Sequence, residues 1–243
     1  MSIEQTSRPA LYLSIPHPCS YLPEQTASTL FVDPHFPVNT ELYADLNRRG
    51  FRRSGDLVYR PHCADCSACI PVRIPSADFK PNRAQRRTWR RNADIETVQK
   101  PPLFNERHFD LFRRYQADRH PDGGMNSPDP QRYLRFLTST HVETRFFEFR
   151  AGGDLLGVAV VDVLPDGLSA MYTFYEPTAK SRSLGVYSVL WQIDRARQHH
   201  LPWVYLGYWI SKSPKMAYKT NYRPLEAYWD GRWRRLDPVA FQY

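Results

Sequence analysis

The chain has 243 residues, 42% of them hydrophobic and 14% aromatic, which excludes a disordered or low-complexity protein and predicts packed cores. Its formal net charge of +8 favours a polyanionic partner. It shows no secretion signal and no apolar stretch long enough to cross a bilayer, so we expect a cytoplasmic protein that has no membrane partner and keeps its cysteines reduced.

In the first half, short β-strands are predicted near residues 11–14 and 29–32. A helix that we expect Thr40 to cap follows, and Gly50 suits its end. A turn leads into a strand over residues 51–59, and a second helix begins after Asn82. The segment "DIETV" is predicted to be a strand. Asn105 can cap a third helix, and a fourth carries Tyr133.

The second half gives a clearer pattern. The strands "VETRFFEFR", "LLGVAVVDVL" and "LSAMYTFYE" are joined by the hairpin turns "AGGD" and "PDG". A helix over residues 183–199, the strand "PWVYLGYW", a short helix "KMAYKTNY" and a hairpin at Asp230 and Gly231 follow. This order is that of the N-acetyltransferase fold. We therefore predict an α/β (α+β) protein with a mixed sheet flanked by helices, built as two tandem half-domains.

Three regions follow from this pattern. We predict an N-terminal basic, cysteine-containing domain over residues 1–100 and a helical connector over residues 101–140. The acetyltransferase-like catalytic domain would then occupy residues 141–243.

The positive charge is concentrated in one segment. Residues 60–92 contain eight Lys or Arg but only two acidic residues. A helix after Asn82 would place five arginines within an arc of about 140°: Arg83, Arg86, Arg87, Arg90 and Arg91. Such a run is usually a solvated charged face. This helix, however, has no acid to form intrahelical pairs, so we favour contact with nucleic-acid phosphates.

Three cysteines precede this helix at two-residue gaps: Cys63, Cys66 and Cys69. The spacing resembles the start of a ferredoxin-type run without its fourth cysteine, so a fourth ligand would come from Cys19, His17 or His62. Thiolates suit an iron-sulfur cluster or zinc. The alternative is that the cysteines are small buried residues with incidental spacing.

The stretch "KSRSLGVYSVL" stands where acetyltransferases of this fold bind the coenzyme A pyrophosphate. It contains one glycine, Gly185, which is a weak phosphate-binding signal. The acyl donor is therefore expected to be something other than acetyl-CoA, and the arginine helix points to a charged tRNA.

Several strings together carry a family resemblance: "YRPHCADCSACIPVRI", "NRAQRRTWRRN", "YTFYEP", "SLGVYSVLWQI" and "VYLGYWISKSPKMAYK". They resemble the aminoacyl-tRNA-protein transferases of the N-degron pathway, most closely the short bacterial form that transfers leucine. The resemblance covers essentially the whole chain. It implies transfer of leucine from leucyl-tRNA to the α-amine of proteins that begin with Asp or Glu, which creates an N-degron.

The chemistry of such a transfer needs no cofactor. An aminoacyl ester is already activated and an α-amine is partly neutral at pH 7, so the enzyme must position its substrates and stabilise an oxyanion. From the matching family motifs we expect the catalytic residues to be Tyr172, Tyr175, Glu176, Tyr208, Lys215, Tyr218 and Lys219. Glu176 could accept or orient the amine proton. For any one tyrosine, core packing is the simpler interpretation.

An acidic N-terminal residue requires a cationic pocket, because a buried carboxylate needs a paired charge. The sequence does not separate the residues that would hold this carboxylate from those that would hold tRNA. The combined set is Arg60, Arg73, Lys80, Arg83, Gln85, Arg86, Arg87 and Arg90.

Three alternatives remain at this point. An arginyl transferase with the same acceptors would differ by a few side chains in the donor pocket. A coenzyme A-dependent acetyltransferase would bind acetyl-CoA and ignore tRNA. A metal-containing RNA-binding module would bind RNA without transfer and lose its fold on chelation.

Overall fold

A computed structural model describes residues 8–119 and 128–237. The helices are α1 Thr40–Arg48, α2 Arg83–Arg91, α3 Glu106–Arg119, α4 Pro130–Leu137, α5 Leu184–Gln198 and α6 Pro214–Ala217, with 3₁₀ turns at Lys180–Arg182 and Tyr218–Asn221. The strands are β1 Leu11–Leu13, β2 His17–Pro18, β3 Thr26–Ala27, β4 Thr29–Val32, β5 Arg52–Ser54, β6 Leu57–Pro61, β7 Ile70–Pro75, β8 Glu96–Lys100, β9 Glu143–Ala151, β10 Asp154–Leu164, β11 Gly167–Tyr175, β12 Trp203–Trp209, β13 Glu226–Trp229 and β14 Arg232–Arg235.

An eight-stranded mixed sheet organises the molecule, in the order β14-β13-β7-β12-β11-β10-β9-β8. Strands β9, β10 and β11 are antiparallel neighbours joined by tight turns, as the sequence predicts. Helix α5 then crosses over so that β12 runs parallel to β11. The predicted α/β class, with a mixed sheet flanked by helices, is confirmed.

Strands from both predicted halves belong to this one sheet. Strand β7 pairs with β12 on one side and with β13 on the other, while β8 forms the edge beside β9. A smaller four-stranded sheet has the order β1-β4-β6-β5, and β2 and β3 form a separate hairpin. The proposed division at residues 100 and 140 stays a prediction.

Side-chain alternation along the strands divides the core between two helical layers. On one face Phe147, Phe149 and Val161 pack with α5. On the other face Phe146, Val160 and their neighbours pack against the aromatic side chains of α3 and α4. A third cluster joins α1 to the smaller sheet. These layers hold the two central strands, β11 and β12, from both sides.

The prediction that Thr40 caps α1 is wrong by one residue. Asn39 is the cap, because its extended backbone lets its side chain accept a hydrogen bond from the Leu42 amide. Thr40 instead donates its hydroxyl to the His141 carbonyl. The predicted cap of α2 is confirmed, and Asn82 and Gln85 form a reciprocal capping box there.

Candidate functional site

Strands β11 and β12 separate in the middle of the sheet. Their parallel register runs only from Gly167 to Ser169 on β11 and from Trp203 to Tyr205 on β12. Beyond this point β12 continues its pairing with β7, through a register shift between Tyr205 and Gly207. The carboxyl ends of two parallel strands thus diverge, which is where ligands bind in many α/β proteins.

Arg52 reaches into the point of divergence from the smaller sheet. Its Nη1 donates to Ser169 Oγ at 2.9 Å, and its Nη2 donates to the Ala170 carbonyl at 2.8 Å. On the other strand, Gly207 has φ +73°, and a Cβ there would lie 3.4 Å from Arg52 Nε. Glycine therefore lets the guanidinium lie directly against the β12 backbone. Arg52 is not among the binding residues predicted from the sequence.

Lys219 lies buried against β12. Its Nζ donates to the Tyr208 carbonyl at 2.5 Å and lies 3.3 Å from Met216 Sδ. Burial, and then the positive charge of Arg52, lower the pKa of Lys219 to about 7. Lys219 is therefore an amine that exchanges its proton near neutral pH.

Arg60 completes a group of cations around Tyr208. Its Nη1 donates to the Arg49 carbonyl at 3.3 Å, and its guanidinium lies 4.9 Å from the Phe51 ring centroid. Burial raises the pKa of Tyr208 well above its ordinary value, although Arg52 and Arg60 oppose this rise. The Tyr208 hydroxyl donates to the Gly50 carbonyl at 2.8 Å.

We call Arg52, Arg60 and Lys219 the Tyr208 cation cluster. Within residues 8–119 and 128–237, no carboxylate forms an ion pair with any of the three. Positive charges grouped and partly desolvated in this way are compensated best by a bound anion. The cluster therefore has the character of a carboxylate-binding site.

A tyrosine-rich group lies at the end of β11, against α3. Tyr172 accepts a hydrogen bond from Gln116 at 2.8 Å, and the Tyr175 hydroxyl accepts one from Arg119 at 3.1 Å. The Tyr175 ring packs edge-on against Tyr115, with centroids 4.9 Å apart. Gly185 allows this position, because a Cβ there would lie 3.2 Å from the Tyr175 ring.

Glu176 directly follows the same strand and is held in a fixed position. Arg114 Nη2 donates to its carboxylate at 3.0 Å, and the Thr178 hydroxyl donates at 2.8 Å. Despite partial burial, the hydrogen bonds from Thr178 and Arg114 lower the pKa of Glu176. These contacts suit a positioning role better than proton acceptance at neutral pH.

Tyr218 connects the tyrosine group to the Tyr208 cation cluster. Burial and the nearby Tyr175 hydroxyl raise its pKa, and its ring centroid is 6.0 Å from Lys219 Nζ. Tyr218 as a whole residue is 44% exposed, so a substrate can reach part of it. Lys215, one turn earlier, is exposed. The structure thus groups Tyr175, Tyr208, Tyr218 and Lys219, while their catalytic roles stay predictions.

The arginine face of α2 forms as the sequence predicts. Gln85 and Thr88 are buried, whereas all five arginines of the helix are exposed. Arg86 donates to the Pro81 carbonyl at 2.6 Å, and Arg91 donates to the Ser181 carbonyl. Among the described residues no carboxylate pairs with Arg83, Arg87 or Arg90, so their charges face solvent uncompensated.

The remaining predicted binding residues are placed differently. Arg73 is buried between Trp203 and Trp233, with centroid distances of 3.4 Å and 4.3 Å, and Glu226 pairs with it at 2.8 Å. Gln85 is buried, where it closes the capping box and donates to the Asn221 carbonyl. Lys80 is exposed beside α2. Arg73 and Gln85 thus have internal partners, whereas Lys80 extends the basic surface.

The four cysteines line one small cavity. Cys19 comes from the turn after β2, and Cys63, Cys66 and Cys69 come from the segment between β6 and β7. His17 and His62 are exposed and do not line it. Burial, followed by the other three thiols, raises the pKa of Cys69 to about 12. In the two described ranges, no three His, Cys, Asp or Glu side chains are arranged as metal ligands.

The sequence matches the models of a known protein family. The family model described as "Arginine-tRNA-protein transferase, N terminus" matches residues 17–87, and the model described as "Arginine-tRNA-protein transferase, C terminus" matches residues 107–229. Together they match more than half of the chain. The chain therefore belongs to the arginine-tRNA-protein transferase family and is an aminoacyltransferase.

Relatives refine this assignment. A protein of Nitrosococcus oceani is 56% identical over 226 residues, which cover 93% of this chain and 95% of the relative. Proteins of Pseudomonas aeruginosa and Pseudomonas fluorescens are 54% and 52% identical, covering 96% and 94% of this chain and 99% and 97% of the relatives. All three are named aspartate/glutamate leucyltransferase. None of the helices described here is long and apolar enough to cross a membrane.

Proposed function

We propose that this protein transfers leucine from leucyl-tRNA to the N-terminal α-amine of cytoplasmic proteins that begin with Asp or Glu, creating an N-degron. The similarity to aspartate/glutamate leucyltransferases over nearly the whole chain supports this donor and these acceptors. The observation that carries the acceptor assignment is the Tyr208 cation cluster. Its charges lie beside the diverging strands and have no carboxylate partner among the described residues.

The acceptor would bind with its acidic side chain at Arg52 and Arg60. Two hydrogen bonds to Ser169 and Ala170 already orient Arg52, so less conformational entropy is lost when it binds a carboxylate. A side chain without negative charge would leave these cations uncompensated. The cluster thus explains a preference for Asp and Glu over Ala or Lys.

Lys219 would then accept the proton of the attacking amine. The α-ammonium of the acceptor titrates near pH 7.7 to 8.0, close to the pKa of Lys219 at about 7, so the transfer is nearly balanced. The neutral amine attacks the leucyl ester carbonyl, a C–N bond forms, and the ester C–O bond breaks. Lys219 gives this first proton to the ribose oxygen that leaves, takes up the second proton of the attacking nitrogen, and then releases that proton to solvent.

Hydroxyl groups would stabilise the tetrahedral oxyanion. Tyr218 is partly exposed between Tyr175 and Lys219, which suits a donor that meets a substrate carbonyl. The exposed arginines of α2 would hold the tRNA backbone. No cofactor enters this scheme.

The deciding experiment measures transfer of radiolabelled leucine or arginine from charged tRNA to peptides that begin with Asp, Glu, Ala or Lys. Leucine on the Asp and Glu peptides alone is expected. Arginine transfer would keep the enzyme class and overturn the donor, and no transfer with either tRNA would overturn the proposal. In Lys219→Arg the side chain stays protonated, so we expect transfer to fall at least about 100-fold. Unchanged activity would remove Lys219 from the mechanism.

We also propose that Cys19, Cys63, Cys66 and Cys69 bind zinc or an iron-sulfur cluster. Their shared cavity supports this, and thiolate donors suit both groups, although the side chains would have to rearrange to form the site. Bound to the cysteines, the group would fix the loop between β6 and β7. Elemental analysis of anaerobically purified protein should find metal that Cys66→Ser loses, and equal content in both proteins would contradict the site.

A further inference from the structure

The helix that carries the five arginines also carries an exposed aromatic side chain. Trp89 is 38% exposed and lies at the border between the arginine face and the buried face that contains Gln85 and Thr88. The buried face of the helix is formed by the smaller polar residues Gln85 and Thr88, and the indole beside it stays partly open to solvent. An aromatic ring within a basic surface is the combination that binds unpaired nucleotides.

One side of the indole rests on a rigid support. Trp89 stacks on Tyr187, with ring centroids 5.6 Å apart and an interplanar angle of 30°. Tyr187 is buried and packs edge-on against Phe149 in the central core, with centroids 5.2 Å apart. Because Tyr187 is held from below, the orientation of the indole is set before any ligand binds.

The first turn of α5 lies next to both Trp89 and the tyrosine group. Tyr187 and Gly185 both lie in the first turn of α5, and Gly185 contacts the Tyr175 ring. Helix α2 is fastened to the preceding turn, where Arg91 donates to the Ser181 carbonyl and Asn92 donates to the Arg182 carbonyl at 2.8 Å. The first turn of α5 thus supports Trp89 on one side and Tyr175 on the other.

We propose that Trp89 stacks on a base of the single-stranded 3′ end of the tRNA and directs the aminoacylated end toward Tyr175. This inference rests on the proposed function and adds a residue and a ligand element to it. The arginines of α2 bind phosphates of any RNA, whereas Trp89 distinguishes RNA that has an unpaired 3′ end.

The test uses the full chain and two uncharged RNA minihelices of the tRNA acceptor arm, one with its four-nucleotide 3′ single strand and one cut to a blunt end. Equilibrium binding is measured at a single salt concentration. We expect wild-type protein to bind the overhang RNA at least fivefold more tightly than the blunt RNA. In Trp89→Ala this difference should disappear while blunt-end binding stays within about twofold, and Trp89→Phe should retain part of it.

Trp229→Ala is the matched control, because Trp229 is exposed to a similar extent but lies on β13. It should leave both affinities unchanged. If Trp89→Ala weakens both RNAs equally, or neither, the stacking role is overturned. Binding without transfer also separates the two proposals. If the wild-type protein transfers no leucine but binds overhang RNA more tightly than blunt RNA, only the proposed function is contradicted. If it transfers leucine but Trp89→Ala keeps the full preference for overhang RNA, only this inference is contradicted.

Discussion

Arg52 and Arg53 are neighbours on β5, yet their guanidinium groups have opposite environments. The fully buried Arg53 forms a bidentate pair with Asp162, at 2.8 Å from Nε and 2.5 Å from Nη2. It also donates to Thr144 Oγ1 and to the Leu137 carbonyl. Arg52 points to the other side of the strand, and its described contacts are a hydroxyl and a carbonyl. Strand alternation explains the opposite directions.

The role of each arginine is indicated by whether a carboxylate neutralises its charge, because the residue type is the same in both cases. Arg53 and Asp162 compensate each other, so this pair joins the smaller sheet to β10 and leaves no charge for a ligand. Arg52 has a fixed direction but an uncompensated charge at the point where β11 and β12 diverge. Arg53 therefore stabilises the fold, whereas the uncompensated charge of Arg52 supports its proposed role in substrate binding.

The largest effect is expected from Arg53→Met. The substitution leaves the Asp162 carboxylate buried without its cation, so the free energy of unfolding should fall by about 3 to 5 kcal/mol. Urea unfolding followed by circular dichroism measures this change. Arg52→Met is the matched control, and we expect it to change the free energy of unfolding by less than about 1 kcal/mol. Equal losses in the two variants would remove the distinction between the neighbours.

Removing the charge of Arg52 should affect catalysis more than stability. Arg52→Gln keeps a hydrogen-bond donor toward Ser169 but removes the charge, so kcat/KM for a peptide beginning with Asp should fall about 100-fold, or about 2.7 kcal/mol. A peptide beginning with Ala should react within about threefold of its wild-type rate. An equal loss for both peptides would instead show that Arg52 only maintains the shape of the site. The cationic pocket for the acidic N-terminal residue would then have to lie elsewhere.

The sequence predicts well what depends on local periodicity. Strands β9 to β12, the crossover helix and the arginine face of α2 follow from alternation, from turn residues and from the absence of acids in that helix. The Asn82 cap was predictable for the same reason. The error at Thr40 has a local cause too, since Asn39 and Thr40 are adjacent and both are residue types that cap helices. Strand β7, which lies between β13 and β12 in the large sheet, was not among the predicted strands.

Charge compensation was not predictable, because it depends on partners far apart in the chain. Arg73 was selected for its charge, but Glu226, more than 150 residues away, neutralises it. Arg52 was not selected from the pair "RR", although a turn into a strand was predicted over residues 51–59, where the structure has the hairpin of β5 and β6. Only the register of β11 and β12 shows that its side chain reaches a divergence of strands. Cys19, by contrast, was among the predicted partners of the other cysteines and does line their cavity.

Lys219 gives a smaller and pH-dependent effect on stability. Its pKa is lowered to about 7 in the folded protein from an ordinary value of 10.5, so the unfolded state binds more protons between these values and stability rises with pH there. Lys219→Met removes the cost of burying the charged amine, which should raise the free energy of unfolding at pH 7 by about 2 to 4 kcal/mol. The lost hydrogen bond to the Tyr208 carbonyl reduces this gain. A net gain of about 2 kcal/mol at pH 7 that shrinks by pH 10 is expected. Urea unfolding at pH 7, 8.5 and 10 measures it, and a gain that does not vary with pH would show that Lys219 is not buried as a titrating amine.

The smallest effect is expected at Gly207, where the backbone and the Arg52 side chain meet. Gly207→Ala must adopt φ +73° and brings a methyl group to 3.4 Å from Arg52 Nε, so we expect a loss of about 1 kcal/mol in the free energy of unfolding. Gly153→Ala is the matched control, because its φ is +87° and no atom lies within 4 Å of the added Cβ. The two variants should lose similar stability.

They should differ in transfer to the acidic peptide. Displacement of Arg52 by the Gly207→Ala methyl group should lower kcat/KM for the Asp peptide about threefold to tenfold, whereas Gly153→Ala should leave it unchanged. If the two variants transfer leucine equally well, the close approach of Arg52 to β12 does not position the acceptor. Arg52 would then act only through its charge, at a distance that a methyl group does not alter.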